Sequence, residues 1–295
     1  MKILSKYPNT TVVLSALIWG TFWIPLRYID SGGEGSIWPI LLSFLFVPLI
    51  LIKFTINSLK NLISQNNIFF FLGNFFCALA IALYSESLLR GEIAKVIILF
   101  YLCPVWGTIF AKIFLDINFN FQRYVSLFLG ILGLEVILGI DKGVFFPKSM
   151  VELIAVGAGI SWALGLTFFY KSKTSLPIEK TALTGLMIPL FFFLLALVPG
   201  GRNITEISFI YLVLDDLLLW IILFSILFLI PSMFLIYINV KVLDPGRINI
   251  LLMFEVIIGI STAALLTNEI IGLREVIGAI IIISAAIIDI VKIKI

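Results

Sequence analysis

Residues 93–114 read IAKVIILFYLCPVWGTIFAKIF, and residues 246–267 read GRINILLMFEVIIGISTAALLT. Each stretch is apolar almost throughout and about as long as the ~20 residues an α-helix needs to cross the hydrocarbon core of a bilayer. The second carries one acid, Glu255, close to what would be the bilayer midplane. A shift of 152 residues lays the two stretches on one another: Lys95 falls on Arg247, Ile98 on Ile250, Leu99 on Leu251, Gly107 on Gly259 and Ala111 on Ala263. The match continues to Ser126 on Gly278, and a shift of 143 places Trp19 on Trp162. Self-similarity at such a period marks a repeated unit.

Working outward, ten apolar runs appear, at about 11–29, 36–54, 67–88, 93–114, 122–141, 152–170, 180–199, 217–240, 246–267 and 272–292. The first follows Lys2 and Lys6 like a secretory leader. It continues through Trp19-Gly20-Thr21-Phe22-Trp23 with no small-residue cleavage site, so it reads as a span. The fold predicted is an all-α membrane protein with ten transmembrane helices, arranged as five-helix repeats over 1–141 and 150–295. Because five is odd, the second repeat crosses in the opposite sense to the first. Such an inverted pair encloses a site that can open to either side. Ten crossings place both termini on one side. With the termini inside, thirteen Lys and Arg fall on inner segments and seven on outer ones, which favours cytoplasmic termini.

Composition agrees. Of 295 residues, 61% are hydrophobic and 13% charged, with a mean hydropathy of +1.19, far from a soluble domain. The chain has no histidine, which removes Ser-His-Asp and Cys-His catalysis and histidine metal sites. Cys77 and Cys103 both lie in apolar runs, so neither a disulfide framework nor a zinc site is indicated. A formal charge of +3 with scattered basic residues gives no nucleic-acid surface. No GxxxxGK[ST] loop is present to support ATP-driven pumping.

Trp19-Gly20, Ser161-Trp162-Ala163-Leu164, Tyr101-Leu102-Cys103-Pro104-Val105, Phe254-Glu255-Val256, and Glu269 followed by Gly278 together resemble the drug/metabolite transporter superfamily, in its ten-helix type with two EamA-like halves. Asp116-Ile117 and Val256 depart from the family's usual glutamate and proline. The Tyr-Leu-X-Pro string is also similar to aromatic amino-acid exporters of that superfamily. The resemblance implies a cavity lined by helices one, three, four, six, eight and nine, with helices five and ten joining the halves. It also implies export as the direction of transport.

A carboxyl group in hydrocarbon costs about 2.5–3.5 kcal/mol on insertion scales, so Glu255 needs a reason to be there. It reads as a partner for a substrate amine or a protonatable group, or as a structural glutamate bonded between helices. Glu135 reads as structural or snorkelling, and Asp289 as rim. Trp19, Trp23, Tyr84, Tyr101, Trp106 and Trp162 are candidate cavity walls, suited to an amine through cation–π contact; each also reads as packing. Lys95 and Arg247 stand at helix N-termini, where a cation opposes the dipole. Glu86 and Glu92 are the expected partners of Lys95, and Asp244 that of Arg247, as gate pairs or as rim pairs. Pro25, Pro104, Pro189 and Pro231 are expected to interrupt their helices.

The function expected is secondary transport of a small organic metabolite, an amino acid or related amine, across the cytoplasmic membrane. A broad drug exporter and a non-transporting membrane sensor are the alternatives. No enzyme activity, cofactor or metal is expected. The partners are a small-molecule substrate, the lipid bilayer and, where transport is coupled, protons.

Overall fold

The computed structural model describes residues 6–33, 36–65, 67–138, 147, 149–172, 176–198, 204, 217–266 and 272–290. Among them the structure is built of helices and their connections. In chain order these are α1 (Pro8–Thr21), α2 (Trp23–Gly32), α3 (Trp38–Ile50), α4 (Ile52–Gln65), α5 (Ile68–Arg90), α6 (Ile93–Phe100), α7 (Cys103–Leu115) and α8 (Phe121–Leu138). After the join come α9 (Met150–Lys171), α10 (Pro177–Ala196), α11 (Leu217–Phe224), a π-helical segment Ser225–Leu229, α12 (Ile230–Tyr237), α13 (Pro245–Leu252), α14 (Phe254–Leu266) and α15 (Leu273–Ile290). The expected join at Asp141–Ser149 lies largely outside the described residues, as does Glu269.

Among the described residues, seven helical segments are long and apolar enough to cross a membrane: Pro8–Gly32, Ile68–Arg90, Ile93–Leu115, Met150–Lys171, Pro177–Ala196, Leu217–Tyr237 and Pro245–Leu266. An eighth is added if α3 and the following helix, which meet at 82°, form one bent span. Helix also occupies the expected fifth and tenth stretches, as α8 and α15, which pack against each other. There Ser126 Oγ donates to the Ala285 carbonyl at 2.6 Å, and Gln122 donates to the Ile288 carbonyl.

Several starts follow from capping chemistry. The side chains of Asn67, Ser149 and Asp244 accept from the backbone N–H three residues on, satisfying one of the free donors at a helix start. The breaks follow from proline. Pro25 and Pro104 have no N–H for the carbonyl four residues back, and the chain breaks at Phe22 and at Tyr101-Leu102. Pro231 is the second residue of α12, one residue past the end of the π segment. Pro189 departs from expectation: it sits inside a continuous α10. The ninth apolar stretch breaks at Met253 with no proline near it.

Contacts between helix ends define two faces. On one, Asn239 donates to Thr11 at 2.5 Å, Lys171 donates to the Phe114 carbonyl at 3.1 Å, and Lys241 donates to the carbonyls of Tyr170 and Ser172. Partial burial pushes the Lys241 ammonium down from its ordinary pKa. On the other face Lys95 pairs with Glu152 at 2.6 Å, Ser87 donates to the Val151 carbonyl at 3.3 Å, and Arg27 donates to the carbonyls of Leu88 and Gly91. Thus α1 starts on the Thr11 face, whereas α9 starts on the Glu152 face and ends on the Thr11 face.

Candidate functional site

Two interrupted helices meet at the centre. The break between α6 and α7 follows Phe100, and the break between α13 and α14 follows Leu252, 152 residues further on. Tyr101 occupies the first break, and Glu255 lies in the first turn after the second. Discontinuous helices at matching places in two halves are a known way to build a transporter site at mid-depth.

Glu255 is 2% exposed. The Tyr84 hydroxyl, from α5, donates to its Oε1 at 2.5 Å, and the Tyr101 hydroxyl donates to its Oε2 at 2.6 Å. Both carboxyl oxygens therefore carry a short bond to a phenol, the kind of satisfaction a buried carboxyl group requires. Both tyrosines belong to the first half of the chain and Glu255 to the second, so the group ties the halves together. Beside this group α1 and α14 approach closely. A Cβ on Gly20 would stand 2.5 Å from Ile258 Cβ and 3.1 Å from the Glu255 carbonyl oxygen, so a glycine is what the spacing admits.

Trp19, Trp162, Ala80, Ile81, Phe100 and Leu252 complete the pocket around these three residues. Trp19 and Trp162 meet edge to face at 6.3 Å, and Phe100 lies against Tyr84 at 4.4 Å. The space left is about 10 Å³, room for about one water. The walls come from the first, third, fourth, sixth and ninth apolar stretches. The eighth stretch, which the resemblance includes, contributes none.

Of the expected wall residues, Trp19, Tyr84, Tyr101 and Trp162 are thus brought together with Glu255, and two are not. Trp23 lies a turn away, its indole donating to Thr262 at 3.1 Å. Trp106 is half-buried on α7 and stacks on Phe110 at 6.4 Å.

The expected ion pairs change partners. Lys95 meets Glu152 rather than Glu86 or Glu92. Glu86 pairs with Arg90 at 2.5 Å on its own helix, and Glu92 is exposed beside a vestibule of about 650 Å³ at the Glu152 face, with Arg27, Asp30 and Arg90. At the Thr11 face, Asp244 does accept from the Arg247 backbone N–H at 3.0 Å. Its other oxygen holds Arg123 at 2.9 Å. Arg123 also pairs with Asp289 at 2.9 Å, and Arg247 stands 3.7 Å from the same carboxylate. Asp289, read from sequence as rim, has a side chain only 3% exposed. Glu135 is half-buried on α8. Sequence reasoning missed Arg123 and Glu152 because their partners lie 121 or more residues away or on the far side of the join. The one available signal was the excess of charge at those helix ends.

No curated protein matches this chain. A solved crystal structure of another protein is similar over 95% of this chain and 96% of its own, with a TM-score of 0.64 at 14% identity; this shows a common fold and nothing more. Residues 7–139 match the model of the EamA-like transporter family. Taken with the apolar helices, this makes the chain a multi-pass membrane transporter rather than an enzyme. The family match places it in the drug/metabolite transporter superfamily.

Proposed function

We propose that the chain is a secondary transporter that carries an amino acid or related amine across the cytoplasmic membrane by alternating access, with Glu255 as the anchor of the ligand's ammonium group or as a proton site. Ten crossings in two inverted five-helix units, with both termini cytoplasmic, are the topology this reading uses. It is supported by the opposite senses of α1 and α9 and by helix breaks 152 residues apart. On this topology the Glu152 face is external. The vestibule then opens outward while the charged network around Arg123 closes the cytoplasmic side, an arrangement that suits release in an exporter.

The observation that carries the proposal is Glu255 itself, buried where two broken helices meet and bonded across the halves. An acid within a membrane protein's interior is by default a functional group. A carboxylate has about four lone-pair sites, so two remain for an ammonium after both tyrosines have donated. The pocket takes about one water as it stands, so a ligand enters by separation of the walls.

The test is counterflow in proteoliposomes with a panel of amino acids, amines and neutral metabolites, comparing the parent with Glu255→Gln. Exchange of at least one amino acid or amine is expected, and its loss in the variant. Equal transport by both proteins for every solute at every pH would remove Glu255 from the mechanism. A panel in which only neutral compounds exchange would favour a broad drug exporter instead.

A further inference from the structure

We infer that α4 is an interfacial helix that seats the Thr11 face on acidic phospholipid headgroups, with Lys53 and Lys60 as the residues that meet them. The inference concerns the lipid around the protein and holds whichever solute is carried. Between Glu34 and Glu86 the chain has no acid, and its basic residues there are these two lysines alone. Both are exposed, and neither has an ion pair or hydrogen bond among the described residues.

Geometry sets α4 at the edge of the bilayer. Helix α3 has 13 residues, about 20 Å at about 1.5 Å per residue, which is roughly 10 Å short of the hydrocarbon core. There the chain turns by 82° into α4. Polar side chains fix the new direction: Thr55 donates to the Pro48 carbonyl at 3.0 Å, Ser58 to the Glu179 carbonyl at 2.9 Å, and Asn61 to the Glu179 carboxylate at 3.4 Å. Glu179 stands in the first turn of α10. Because α10 follows the end of α9, α4 lies at the Thr11 end of the bundle.

The helix is inside out compared with one on a soluble domain. Its small polar residues face the bundle, whereas Ile52, Ile56 and Leu59 are exposed. At about 3.6 residues per turn these three share an arc of about 60°, and Lys60 and Lys53 occupy the next about 60°. Hydrocarbon suits the apolar arc, and the lysines beside it reach the phosphate level on their apolar stems. A basic flank next to an apolar face is how amphipathic helices take up anionic lipid. A second copy suits this face poorly. A two-fold contact sets the same patch against itself, so lysines would meet lysines, and the arc offers Ile and Leu rather than the small residues that let membrane helices approach. On the topology proposed above this is the cytoplasmic side, where the leaflet's surface is negative.

The experiment melts detergent-purified full-length protein during titration with dioleoyl phosphatidylglycerol or dioleoyl phosphatidylcholine. In the parent, the acidic lipid should reach half of its stabilising effect at a concentration about tenfold or more below that of the neutral one, since each lysine near an acidic surface is worth about fivefold in affinity. Lys53→Gln with Lys60→Gln should bring the two lipids within about twofold, and Lys53→Arg with Lys60→Arg should keep the preference. Lys6→Gln with Lys112→Gln, which removes two exposed cations elsewhere on the chain, should keep it too. A parent that responds alike to both lipids overturns the inference without any variant. So does a preference that survives both glutamines on α4, or one that the control pair loses equally. The apolar arc is read separately, with a nitrobenzoxadiazole label on Ile56→Cys in liposomes, Cys77 and Cys103 being buried. Nitroxide-bearing lipids should quench it more strongly than aqueous iodide. The reverse order puts the arc in water, and shielding from both puts it against protein; either result overturns the inference.

Discussion

Tyr84 and Tyr101 each have one O–H, and each directs it at Glu255. Replacing either by Phe keeps the ring contacts with Phe100 at 4.4 and 5.3 Å but leaves one carboxyl oxygen without its donor inside a buried site. Removing one partner of a buried hydrogen bond costs about 1–3 kcal/mol. Tyr84→Phe and Tyr101→Phe should each lower the melting temperature of the detergent-purified protein, and the double change should differ from the sum of the two, because both act on one carboxyl group. Strict additivity would show that the two bonds are independent of a common group. Replacing Glu255 by Gln is gentler to the fold. The amide oxygen still accepts from one tyrosine, and the other hydroxyl can rotate to accept from the amide N–H. Its melting point should therefore change less than that of either tyrosine variant, while transport of an amine-bearing solute should fall by about tenfold or more as the charge partner is lost.

Among the helices, glycine decides how closely the two halves approach. Gly20 on α1 faces Ile258 and the Glu255 carbonyl, and Gly159 on α9 faces the Phe100 carbonyl, 2.5 Å from where a Cβ would stand. Each half thus sets a glycine of its first helix against the interrupted helix of the other half. Backbone cannot give way as a side-chain tip can, so Gly159→Ala should destabilise by about 1–3 kcal/mol through overpacking. Gly157, two residues earlier, is the control: its nearest neighbour would be Leu83 Cδ1 at 3.9 Å. Gly157→Ala should be neutral or stabilise by up to about 1 kcal/mol, as helix propensity dictates. Denaturation of the two variants side by side checks this, and a reversed order would show that α9 is not held where it is by these contacts. The same scale shows what could be read before the structure. Hydropathy runs marked where helix forms, and Glu255 stood out as a lone acid at mid-stretch. Pro104 announced one break. Nothing announced the matching break at Met253, which has no proline or glycine and shows itself only in the folded chain. Pro189 was expected to break α10, yet flanking helical bonds hold that helix continuous. The pairings of Tyr84 and Tyr101 with Glu255 span 171 and 154 residues, and no local pattern encodes them.

Across the whole molecule the two faces are closed by different means. At the Thr11 face, Arg123, Asp244, Arg247 and Asp289 form a network whose central members, Arg123 and Asp289, have side chains 8% and 3% exposed. It joins α8 of the first half to the start of α13 and the end of α15 in the second. At the Glu152 face the pair that ties the two halves of the chain, Lys95–Glu152, has side chains 29% and 10% exposed and stands near an open vestibule. Breaking a buried ion pair by removing one partner costs about 3–5 kcal/mol because charge is left uncompensated, whereas a partly exposed pair is worth about 0–1 kcal/mol and is screened by salt. Arg123→Ala, which takes its guanidinium from Asp244 and leaves Asp289 only the more distant Arg247, should loosen the Thr11 face far more than Lys95→Ala loosens the other. Thr108 reports on this. It is buried, and its Oγ1 and the Arg123 guanidinium both lie about 3 Å from where a Gly246 Cβ would stand. Thr108→Cys in the otherwise unchanged protein should resist a membrane-impermeant maleimide, and adding Arg123→Ala should speed its modification about fivefold or more, insensitive to Lys95→Ala. Ser31→Cys, exposed beside the vestibule, should react readily in every background. Cys77 and Cys103 are buried and give little signal of their own. Equal protection of position 108 with and without Arg123 would mean that apolar packing rather than the charged network seals that face, and the asymmetry between the two ends would then need another cause.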